Sequence, residues 1–130
     1  MTDNHEARGE LQVLDVDRLH TLGEETGLGV RGVAVLFLEQ MGEQLGDLRS
    51  AIHAGAPVPL SQTAHRCVGS SLLAGMERLS YLLRELEHSP VDRLSDATGS
   101  LAAVEREFGA VMTELSAVLA ATHGEGPVAA

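Results

Sequence analysis

The chain predicts an all-α fold, an up-down four-helix bundle that includes a short N-terminal helix. Three observations carry this. Apolar residues recur at spacings of three and four along most of the sequence. The interruptions are short and marked by glycine or proline. No segment alternates apolar and polar residues with period two, so no sheet is expected.

The elements follow in order. Met1 to Glu10 is polar, and the stretch from Thr122 holds Gly124, Gly126 and Pro127, so both ends read as loose tails. About residues 11–122 form the ordered part of a single domain spanning 1–130. The first helix is expected over about Asp15–Glu25, with Asp15 as its cap and Val16, Leu19 and Leu22 at spacing three. The second is expected over about Leu28–Ala54, where Val33, Phe37, Met41, Leu45, Leu48 and Ile52 line one face. Gly55-Ala56-Pro57-Val58-Pro59 ends it, because proline lacks an amide donor. The third is expected over about Leu60–Glu87, its apolar face holding Leu60, Ala64, Cys67, Ser71, Gly75, Leu79, Leu82 and Leu86. The fourth follows Pro90, over about Val91–Thr122, with a stripe from Leu94 through Leu101, Val104, Phe108, Val111 and Leu115. Short loops make sequential helices antiparallel neighbours.

Composition narrows the function. A chain of 130 residues buries enough surface to form a core without disulfides or metal. Its one cysteine, Cys67, has no intramolecular partner, which fits a reducing compartment. Formal net charge is −10, Lys is absent and aromatics make up 2%, so nucleic acid and anionic membranes are disfavoured as partners. No signal peptide and no run of about 20 apolar residues is visible. A soluble, cytoplasmic monomer without bound metal is expected.

Most motifs have an ordinary reading. Gly27-Leu28-Gly29-Val30-Arg31-Gly32 matches the dinucleotide fingerprint, but helix rather than strand precedes it, so it reads as a joint between helices. The histidines show no metal-ligand spacing. Cys67 is two residues from His65, which on one helix points the side chains about 200° apart, so they form no nucleophilic pair.

His65 is the exception. On a wheel of about 100° per residue the core stripe centres about 250° from it. His65 therefore stands at the solvent edge, with Gly69, Leu72, Met76 and Leu83 within about 40° of it. Of the 19 acidic residues none lies between Asp47 and Glu77, so His65 sits in an acid-free window. A bare glycine one turn from an exposed histidine admits a large partner, and the window suits a group that carries negative charge for part of its cycle.

His65-Arg66-Cys67-Val68-Gly69-Ser70-Ser71, followed by Gly75, Leu79 and Leu86-Glu87, resembles the histidine-containing phosphotransfer (HPt) domain of bacterial phosphorelays. Leu14-Asp15 with Leu19 looks like that family's opening helix, and Phe37-Leu38 with Leu48–Ile52 like its second. The resemblance implies a four-helix bundle with His65 as phosphoryl acceptor and no kinase activity of its own. It implies a docking face at Gly69, Leu72 and Met76, and a response-regulator receiver domain as partner, with a hybrid histidine kinase as a second one. Mg²⁺ would reside on the receiver, and this chain would need no cofactor. One departure matters. The family's lysine three residues after the histidine is Val68 here, which makes Arg66 the candidate phosphoryl-supporting cation and Arg49 another. The alternative is a degenerate module that binds a receiver or kinase without being phosphorylated. A purely structural bundle is a third reading.

Overall fold

The computed structural model describes residues 11–89 and 94–121. Five helices are present among them: α1 (Val16–Thr26), α2 (Gly29–His53), α3 (Pro57–Leu73), α4 (Glu77–Glu87) and α5 (Leu94–Ala121). No strand occurs among the described residues. Helices α2 to α5 close a ring in which each packs on the next and α5 returns to α2, while α1 packs against α2.

The expected helix over Leu60–Glu87 is a hairpin of two helices. Gly75 has φ +83°, a left-handed conformation that a residue with a Cβ rarely adopts. The Gly75 amide donates to Leu72 O at 3.1 Å and the Met76 amide to Ser71 O at 2.8 Å. These two bonds form the Schellman arrangement that satisfies the last carbonyls of a helix. The turn residues Ala74, Gly75 and Met76 are all buried. Their apolar character therefore carries the helical spacing straight through the reversal, and periodicity alone does not reveal it.

Other boundaries shift for simple reasons. Helix α3 begins at Pro57 rather than Leu60, since the first turn of a helix needs no amide donors and accepts proline. The expected limits of the last helix, Val91 and Thr122, lie outside the described residues. The glycine-rich segment is a joint between α1 and α2. A Cβ at Gly23 would come within 2.7 Å of the Gly29 backbone, so a glycine permits this close crossing.

The core gathers Leu19, Met41, Leu48, Met76, Leu79, Leu83, Leu86 and Leu115, all fully buried. Each such burial contributes roughly 1.5–3 kcal/mol. Beside it lies a polar pair with one buried partner: Arg78 Nη2 on α4, partly exposed, meets the buried Glu107 Oε1 on α5 at 3.2 Å. Burial pushes the Glu107 carboxyl above its ordinary value, Arg78 partly offsets this, and Glu114 adds to it. Among the described residues, no helix is long and apolar enough to cross a membrane.

Candidate functional site

His65 stands mid-way along α3 with its side chain 74% exposed. The α3–α4 hairpin brings Glu87, the last residue of α4, to it. His65 Nδ1 and Glu87 Oε2 are 2.8 Å apart, and the Glu87 side chain is only 16% exposed. A carboxylate can only accept, so the contact favours the tautomer with its proton on Nδ1, the one that leaves the Nε2 lone pair free. The acid-free window thus holds along the chain and not in space: folding returns one carboxylate to the histidine, on the ring nitrogen opposite the exposed one.

One turn along α3, a Cβ on Gly69 would meet nothing within 4 Å. Leu72 and Leu73 beyond it are exposed. Met76 and Leu83, expected on the same strip, are fully buried. The wheel fails there because the chain reverses at Gly75. Met76 follows the left-handed glycine, where an apolar side chain folds back onto the end of the preceding helix. The exposed surface around His65 is therefore built from Gly69, Leu72 and Leu73 on α3.

It continues sideways into an apolar groove between α1, α2 and α3. Leu22, Leu28, Leu36, Phe37 and Leu73 line this groove, of about 170 Å³. Leu28, Leu36 and Leu73 are themselves exposed.

The cations are engaged elsewhere. Arg66 Nη2 donates to Thr63 Oγ1 at 3.2 Å, and Thr63, two residues before His65, lies about 200° round α3 from it. Arg49 Nε pairs with Glu105 Oε2 at 2.6 Å. Val68 is buried. Cys67 is buried with its thiol donating to Gln44 Oε1 at 3.2 Å. Burial pushes the thiol up to about 11, against the pull of Arg66 and with a small contribution from Asp47. It stays protonated at neutral pH and is no nucleophile. Among the described residues, no group of three or more His, Cys, Asp or Glu is placed to hold a metal ion.

Glu87 is the residue that sequence reasoning left without a role. Its signal was the reversal itself, because His65 and Glu87 stand symmetrically about Met76. Comparison with known proteins gives one result. The Hpt domain family matches residues 33–121, well over half of the chain. No curated protein and no solved structure gives a match. Proteins of this family take part in histidine phosphotransfer in phosphorelays, where they interact with receiver domains and kinases. The all-helical ring, the exposed histidine and the matched span agree, and the chain belongs to the Hpt domain family.

Proposed function

We propose that this chain is a phosphoryl carrier in which Nε2 of His65 accepts a phosphoryl group from the aspartyl phosphate of a receiver domain and returns it. The observation that supports this best is the Nδ1–Glu87 hydrogen bond on an otherwise exposed ring. In the accepting step the Nε2 lone pair attacks phosphorus in line as the P–O bond to the aspartate breaks. The electron pair leaves with the carboxylate, and the proton on Nδ1 stays there, shared with Glu87. Chemistry of this kind rests on positioning and charge stabilisation. The receiver brings the aspartate and Mg²⁺.

Docking uses Gly69 as the notch and Leu72 as an apolar contact, extended by Leu73, Leu36 and the groove. The absence of acidic residues from α3 suits an approach to a receiver's carboxylates. Arg66 reaches the phosphoryl group by leaving Thr63. A bond to a phosphoryl oxygen is charge-assisted and roughly twice as strong as one to a neutral hydroxyl.

Val68 supports a second reading, a module that binds a receiver without carrying phosphate. Incubating the purified protein with a phosphorylated receiver tests both. Acid-labile label on this chain, absent in His65→Gln, supports the carrier. A stable complex without label supports the binding module.

A further inference from the structure

The segment that precedes α1 is tied to the α3–α4 turn. The Asp15 amide donates to Gly75 O at 2.7 Å, and the Arg78 amide to Gln12 O at 3.1 Å. The Gln12 amide faces Glu77 Oε1 at 3.4 Å. Leu14 is buried in the core. The fit is close: a Cβ on Gly75 would come within 2.9 Å of Asp15 O and 3.1 Å of Arg18 Cβ. Asp15 also caps α1, its Oδ1 accepting from the Arg18 amide at 3.2 Å. This strap and α1 precede the residues that the family matches.

The turn is one end of a lever whose other end is the His65–Glu87 pair. Along either helix the separation is about 16 Å at 1.5 Å per residue. A tilt of about 10° between α3 and α4 would move Glu87 by about 3 Å relative to His65, enough to break the bond. We propose that the strap Leu11–Asp15 is a positioning element for His65. By holding the turn at Gly75 it fixes the angle of the hairpin, and with it the Glu87 contact that keeps the proton on Nδ1. A partner that lifts α1 would release Asp15 and shift the imidazole to mixed tautomers. The functional meaning of this rests on the carrier reading, but the coupling itself is measurable without phosphate.

The experiment reads the His65 tautomer by ¹⁵N NMR of the unphosphorylated full chain. Asp15→Pro removes the amide and the cap, and Asp15→Ala removes the cap alone. Asp15→Pro should lower the ratio of Nδ1–H to Nε2–H forms about threefold, the scale of one net hydrogen bond, and Asp15→Ala should leave it unchanged. In a Glu87→Ala background Asp15→Pro should have no further effect. Coupling is reciprocal, so Glu87→Ala alone should speed hydrogen exchange of the Asp15 amide by a similar factor. A folded Asp15→Pro with the natural tautomer ratio would overturn the proposal. So would an Asp15 amide indifferent to Glu87→Ala, which decides the matter if Asp15→Pro fails to fold. Failure to take phosphate would count against the carrier reading and leave this coupling standing.

Discussion

Glu87 Oε2 and His65 Nδ1 meet at 2.8 Å although they belong to different helices and the chain between them reverses once. The pair divides the ring into a held nitrogen and a free one. Phosphate on this chain is therefore expected at His65 Nε2. Acid-labile, base-stable label should vanish in His65→Gln and persist in His53→Gln and His88→Gln. Label that survives His65→Gln would end the carrier assignment.

Glu87 should tolerate one change and not another. In Glu87→Gln the amide oxygen still accepts from Nδ1–H, and labelling by a small phosphoryl donor should stay within about threefold of natural. Glu87→Ala loses the acceptor and should label more slowly than Glu87→Gln. Equal rates in the two variants would show that the ring needs no partner.

Gly69 and Met76, neighbours on the helical wheel, should behave differently. Gly69 opens onto free space, so Gly69→Arg should block receiver binding with circular dichroism unchanged. Met76 is fully buried, so Met76→Ala should cost about 2–5 kcal/mol of stability and leave the affinity of the folded protein alone. Titration and thermal unfolding of both variants separate the roles.

Why the sequence misplaced Met76 and yet placed His65 has a physical basis. Apolar spacing reports which residues face the core, and nearly every residue of the expected stripes does. It does not report direction. The stretch from Leu60 to Leu86 keeps its spacing because the turn at Ala74–Met76 is itself buried. His65 lies a full two turns before that reversal, so its wheel position holds, as do those of Gly69 and Leu72. Met76 and Leu83 lie beyond it. The contact between Glu87 and His65 is not legible for the same reason, since a wheel cannot bring together two residues that only a hairpin joins. The sign that was present was Gly75 itself, two residues past the last turn of α3. Read as a small core residue, it is the helix stop.

Acid should favour the folded state through Glu107. Its carboxyl is raised by burial, so the folded protein binds a proton more tightly than the unfolded chain does. Where the unfolded chain holds fewer protons, stability falls as pH rises. That fall begins near the ordinary 4.5 and is complete above the raised value. Glu107→Gln does not titrate and lacks this component. The Tm difference between the natural protein and Glu107→Gln should therefore move in favour of the natural protein as pH is lowered through that window. A difference that does not change with pH would show that Glu107 titrates alike in both states.

Charge beside His65 is where a carrier and a binding module are expected to differ. Val68 is buried on the α3 face between the imidazole and the core. A lysine there can run its stem along the bundle and bring its ammonium out toward the phosphoryl oxygens. Opposite charges about 4 Å apart near a protein surface attract by roughly 4 kcal/mol before desolvation and screening. A surviving ~1.4 kcal/mol is tenfold in an equilibrium. Val68→Lys should therefore raise the phosphorylated fraction at equilibrium with a receiver. Arg66→Ala should lower it in the natural background, and Thr63→Val should raise it slightly by freeing the guanidinium that Thr63 now holds. Measuring that fraction in the three variants gives a definite answer. If Arg66→Ala and Thr63→Val leave it alone while Val68→Lys raises it, Arg66 is not the substitute cation, and the natural site works without one. If the natural protein takes no phosphate and Val68→Lys does, the lost lysine is what separates this chain from a working carrier. Gly69, Leu72 and the groove then serve binding alone.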